Sequence, residues 1–173
     1  MHNEISDEIK AIITEAVNAG IRAGRAQAIT SAKDPYRATE KRLYALPILE
    51  GKNTNDKTVL KELTTNGSQK RGKSIVRFSR SGYRVSPEEM LEGIVRDLCA
   101  TMAADEHEIV TVRCALEVIS ADKYYITVTG KYMENKSDEE IAEEIICDSS
   151  TVWRNRKRLV QRLAVWLYGA AAI

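Results

Sequence analysis

Apolar positions recur at helical spacing along most of this chain, and the pattern predicts a mainly helical, all-α protein. Ile5, Ile9, Ile12, Ala16, Ala19, Ala23 and Ala26 advance in alternating steps of four and three, and Ile13, Val17 and Ile21 widen the stripe. Residues 3–31 therefore read as one long helix, either a self-association seam or a helix docked on its own domain. Asp34-Pro35 stops it and starts a second helix, with Asp34 as cap, that runs to about Leu46 before Pro47. Residues 55–64 read as a short separate helix. Ser86-Pro87-Glu88-Glu89 combines a cap, a first-turn proline and an acid three residues after the cap, so a helix begins there and reaches about Met102. Another is expected over 105–119, with Ile109, Val112, Ala115, Leu116 and Ile119 inward. A lead-in helix is expected over 121–133, with Tyr125 and Tyr132 packed beneath the last pair of helices.

Between these helical stretches, residues 65–86 change character. They are rich in Gly and Ser and carry Lys70, Arg71, Lys73, Arg77, Arg80 and Arg84 without an acid. Ile75-Val76-Arg77-Phe78 and Tyr83-Arg84-Val85 flank Ser81-Gly82, so the segment reads as a small β-hairpin at about 75–85 or as a basic linker. The chain then divides into a helical region at 1–64, the basic segment at 65–86 and a helical C-terminal domain at 87–173.

The most specific pattern lies at the C-terminal end. Ser137 followed by Glu140 is a capping box, Ile141 and Ile145 share a face, and Ala142 is small enough for close helix packing. A short turn, Ile146-Cys147-Asp148, leads to a helix capped by the Asp148 carboxylate, with Val152, Leu159, Leu163 and Trp166 on its buried face. With Val152 inward, roughly 100° per residue turns Ser150, Trp153, Arg154, Lys157 and Gln161 outward, with Arg158 at the edge. From Thr151 to Arg162 there are five Arg or Lys and no acid. Two helices with a short turn, the second basic and hydroxyl-bearing at its start, form the pattern of a helix-turn-helix that reads the major groove of double-stranded DNA. Ser149, Ser150, Trp153, Arg154, Lys157, Arg158, Gln161 and Arg162 are the candidate DNA contacts. Arg154 suits a guanine edge and Arg158 and Arg162 suit phosphates; Trp153 either touches a thymine methyl group or packs on the preceding helix. Lys70, Arg71, Lys73 and Arg77 are candidate secondary contacts to phosphate.

Residues 137–164 resemble region 4 of bacterial sigma factors, and the resemblance extends upstream through Lys131-Tyr132-Met133-Glu134-Asn135-Lys136. More widely, the chain resembles phage transcriptional regulators of the ArpU/RinA type. Tyr36, Ala38-Thr39-Glu40-Lys41, Leu43-Tyr44, Glu140-Ile141-Ala142, Ser150-Thr151-Val152 and Arg156-Lys157 carry that wider likeness. The resemblance implies a DNA-binding activator of late phage genes, packaging genes included, acting in the cytoplasm of a bacterial host. RNA polymerase is then a further candidate partner, met through the acidic face of Glu139, Glu140, Glu143 and Glu144. A homodimer is the expected assembly. An alternative sigma factor is a competing reading, but residues 1–85 offer only Phe78 and a few tyrosines where a strand-melting region needs aromatics. A small terminase-like packaging subunit is another, disfavoured by the C-terminal place of the module.

Composition narrows these choices. Lys and Arg total 26 against 25 Asp and Glu, a net charge of +1, so affinity for nucleic acid has to come from local asymmetry. Cys99, Cys114 and Cys147 have no metal-ligand spacing and read as buried free thiols in a reducing compartment. No apolar run is long enough to span a membrane, and Glu4, Asp7 and Glu8 stand where a signal peptide is basic. Gly67-Ser68-Gln69-Lys70-Arg71-Gly72-Lys73-Ser74 matches the G-x-x-x-x-G-K-S phosphate loop, yet Thr58 to Leu63 before it reads as helix and Ile75 to Phe78 after it as extended. The loop's chemistry needs the reverse order, a strand before and a helix after. His2 lies near a chain end and His107 reads as exposed, so no catalytic constellation, cofactor or metal site is expected and the chain does not read as an enzyme.

Overall fold

In the computed structural model, residues 34–66 and 86–172 are described, together with Glu15, Ala19 and Gly20. The expected helix over 3–31 lies outside the described residues apart from those three, which are helical and exposed. Residues 67–85, with the hairpin or linker, the phosphate-loop pattern and Lys70, Arg71, Lys73 and Arg77, also lie outside them. Among the described residues the protein is all-α: α1 (Pro35–Asn66), α2 (Pro87–Ile119), α3 (Ile126–Tyr132), α4 (Asp138–Glu144) and α5 (Ser149–Tyr168), closed by a 3-10 turn over Gly169–Ala172.

α1 begins as expected, the Arg37 amide donating to Asp34 Oδ1 at 3.0 Å. It does not end at Pro47. One helix runs through that proline to Asn66 and absorbs the separate helix expected over 55–64. Proline removes one helical hydrogen bond and strains the turn before it, at a cost of about 3 kcal/mol. Tertiary contacts on both sides outweigh that cost. Leu43 and Leu46 are buried before it, and after it Asn53 is buried with its side-chain amide donating to the Met102 carbonyl at 3.4 Å. Ion pairs to α2 from Glu50, Lys52 and Lys57, with Arg113, Asp105 and Glu106, line the seam.

α2 starts with a complete capping box between Ser86 and Glu89 and is also a single helix, without the break expected near Met102–Asp105. Neither Gly nor Pro lies between those positions, and the seam with α1 continues across them. Val112, Ala115, Leu116 and Ile119 are buried as the spacing predicts, with Ile109 partly so. The expected lead-in helix is shorter. Residues 120–125 form turns in which Asp122 accepts from the Tyr124 amide at 3.0 Å, and only Ile126–Tyr132 is helical.

These elements share one core. Leu43 and Leu46 of α1, Val112 to Ile119 of α2, Val128 and Tyr132 of α3, and Leu159 to Tyr168 of α5 form one buried cluster. α1 thus completes the core that the C-terminal helices build. Two smaller expectations are also corrected. Cys114 is exposed and Cys99 and Cys147 are half-buried, so none of these free thiols is fully buried. His107 is half-buried rather than exposed. Among the described residues no helix is long and apolar enough to cross a membrane.

Candidate nucleic-acid interface

The α4–turn–α5 unit is built from local signals. Ser137 accepts from the Glu140 amide at 3.2 Å, and the Glu140 carboxylate accepts from the Ser137 amide at 2.7 Å. The Ser137 amide bond is the first cause that holds the Glu140 carboxyl below its ordinary range. Ile141, Ala142 and Val152 form a small core between the helices, joined by Ile145 and Cys147. Gly130 of α3 meets the same core: a Cβ there would stand 3.1 Å from Ile141 Cγ1, so the absent side chain lets α3 approach α4 closely.

The turn itself is a Schellman motif. The Cys147 amide donates to the Ala142 carbonyl at 3.0 Å and the Ile146 amide to the Glu143 carbonyl at 3.4 Å. This motif places one residue in the left-handed region, where Gly or Asn is favoured, and here it is Ile146 at φ 53°. Asn135 after α3, at φ 54°, follows the rule that Ile146 breaks. The Ile146 side chain is 92% exposed, so its packing offsets little of the backbone strain. Ile146→Asn is expected to stabilise the protein by about 1 kcal/mol, read as a raised denaturant midpoint at unchanged slope. An unchanged or lowered midpoint would show that Ile146 is not strained.

Asp148 is the N-cap of α5, but its carboxylate makes no capping hydrogen bond, contrary to expectation. Along α5, Ser149, Ser150, Trp153, Arg154, Lys157, Arg158 and Arg162 are all exposed. Trp153 is 51% exposed and so is not packed away on α4, and the Lys157 ammonium stands 5.2 Å from its ring centroid. Arg158 donates to both carboxylate oxygens of Asp122, at 2.9 and 3.1 Å, and Arg162 lies 3.7 Å from the same group. The Tyr124 amide first, then Arg158, holds the Asp122 carboxyl below its ordinary range. Arg154 has no ion pair among the described residues. Gln161 stands apart: it is half-buried and donates to the Ala172 carbonyl, because the terminal 3-10 turn folds back over it.

Trp166 is not core; it is 41% exposed. The packed face of α5 includes Val160, Ala164 and Leu167 as well as Leu163, which turns its centre roughly 100° away from Trp166.

Arg156 is the residue that periodicity did not single out. It lies on the packed face, 8% exposed, and donates to Asp138 of α4 at 2.5 and 2.9 Å. That bond is the main cause that keeps the Asp138 carboxyl below its ordinary range. Beside it, the Tyr132 hydroxyl donates to Glu40 of α1 at 2.7 Å. Burial, then the Glu40 carboxylate, pushes the Tyr132 phenol well above its ordinary value. The available sequence signal was Arg156 at a fourth-residue step from Val152, a charge on an apolar stripe, which calls for a buried partner.

The acids of α4 face outward: Glu139, Glu140, Glu143 and Glu144 are exposed, and Glu144 pairs with Lys136 at 2.7 Å. Among the described residues no group of His, Cys, Asp and Glu is placed to hold a metal ion. No family model, curated protein or solved structure matches this chain.

Proposed function

We propose that this protein is a sequence-specific DNA-binding transcription regulator, an activator of the phage late-gene type, with α5 as its recognition helix. One observation carries the reading. A basic, hydroxyl-bearing helix is packed on one face, joined by a tight turn to a supporting helix, and open along Ser149, Ser150, Trp153, Arg154 and Lys157. A helix of this kind fits the major groove, where guanidinium and hydroxyl groups read base edges and flanking cations meet phosphate.

The roles divide by position. Arg154, without an ion pair among the described residues, is assigned to a base edge. Arg158 and Arg162, already gathered around Asp122, are assigned to phosphates, which would take them over from that carboxylate. Gln161 has no part in the contact, since its amide is engaged by Ala172. The late-gene role rests on the resemblance to phage regulators alone.

The test begins with purified protein and fragmented phage and host DNA, captured at roughly physiological salt and sequenced. One sharply enriched site upstream of a gene block is expected. On that site, Arg154→Ala should lose about 1 to 3 kcal/mol and relax base choice at one position. Arg162→Ala should weaken all sequences alike and lower the salt slope by about one unit. If both variants bind like the parent, α5 is not the recognition helix.

A further inference from the structure

The outer face of α2 is unexpectedly apolar. Val110 is 54% exposed, Val118 is 46% exposed, and Cys114 between them is exposed as well. The three lie at steps of four, one above another, over about 12 Å of helix. At its C-terminal end the stripe runs into an open groove lined by Val118, Gln161, Arg162, Val165 and Trp166. We propose that this face is the seam of a homodimer, with a two-fold axis passing beside Cys114.

The spacing and the charges at its edge together suit a second copy as the occupant. Val110 and Val118 are each four residues from Cys114, so two antiparallel copies of α2 crossing at Cys114 set Val110 against the partner subunit's Val118, and the reverse. The groove beside Val118, floored by Val165 and Trp166, is placed to receive the partner subunit's Val110 as a knob. Charge follows the same symmetry. Arg113 and Glu117 are both exposed on the same edge of the stripe. In the antiparallel crossing each Arg113 comes within reach of the partner subunit's Glu117, giving two ion pairs. Arg113 already shares Glu50 at 2.7 Å, which holds its guanidinium at that edge. The pattern is self-complementary, as an isologous interface requires. A stable interface covers about 800 Å² per partner, so the Trp166 shelf is needed alongside the helix stripe. The seam does not depend on the proposed DNA binding.

The experiment uses the full chain. Sedimentation at about 50 µM should give twice the chain mass. Val118→Glu should raise the dimer dissociation constant by about 100-fold or more, because symmetry buries two added carboxylates per dimer in place of apolar contact. Helical circular dichroism should be unchanged, since the position is exposed in the monomer; Val110→Glu is the second variant and should act alike. Mild oxidation should produce a disulfide-linked dimer that Cys114→Ser abolishes while leaving the dimer mass intact. A monomer would overturn the proposal. So would a dimer that survives both glutamate variants, which would place the seam elsewhere, residues 3–31 included.

Discussion

Asp138→Ala is expected to cost about 2 to 3 kcal/mol of stability and to abolish the site-specific DNA binding proposed above. Arg156 is 8% exposed and gives both terminal nitrogens to this carboxylate, so the variant strands a charge inside the helix pair. The figure lies at or just below the low end of the roughly 3 to 5 kcal/mol for a broken buried pair, because Asp138 is still 23% exposed. The reverse change, Arg156→Met, should be milder. It fills the buried space with apolar atoms and leaves a carboxylate that reaches water and lies 3.9 Å from Lys131. Denaturant titrations of the two variants check the order; an Arg156→Met loss larger than that of Asp138→Ala would show that the pair is not what joins α4 to α5.

The same pair sets a pH dependence. Arg156 lowers the Asp138 pKa in the folded state, so the unfolded chain takes up that proton at the higher pH, near its ordinary value of 3.8. The stabilisation is whole above that value and is lost as pH falls through the depressed folded value. Asp138→Asn should therefore remove part of the acid-side loss of stability while lowering stability at neutral pH. An acid limb identical to the parent's would sink this assignment.

Leu43→Ala should cost about 3 kcal/mol and weaken the whole described body, the α4–α5 unit included. Leu43 is 1% exposed and lies in one cluster with Val112, Leu159, Val160 and Leu163. Its loss leaves a cavity between α1 and the packed face of α5 rather than in a separate N-terminal unit. Tryptophan fluorescence, reporting Trp153 and Trp166 on α5, and helical circular dichroism should shift together to a lower midpoint. If fluorescence keeps the parent's midpoint while part of the helical signal melts early, α1 is an independent unit.

Much of the helical content was legible in local chemistry. The Ser86–Glu89 and Ser137–Glu140 capping boxes and the Asp34 cap marked three helix starts, because a cap acts within one turn of chain. Periodic apolar residues likewise placed Val112, Leu116, Ile119, Ile141, Val152, Leu159 and Leu163 in the core. The exposed basic face of α5 followed from the same spacing, down to Arg154 and Lys157.

What the sequence by itself determined is where helices begin and which stripe each must bury, since both follow from 3.6-residue geometry and the cost of leaving apolar surface in water. Tertiary structure decided everything that depends on a partner distant in sequence. Pro47 lies inside a helix because α2 holds both halves of α1. Trp166 faces solvent because the core shared with α1 and α2 takes in Val160 and Leu167 instead. Gln161 is taken by a tail 11 residues later. Arg156 is tolerated in an apolar face because Asp138, 18 residues earlier, comes back to meet it. Local propensities are worth tenths of a kcal/mol to about 3 kcal/mol, and contacts of this kind, summed over a seam, outweigh them.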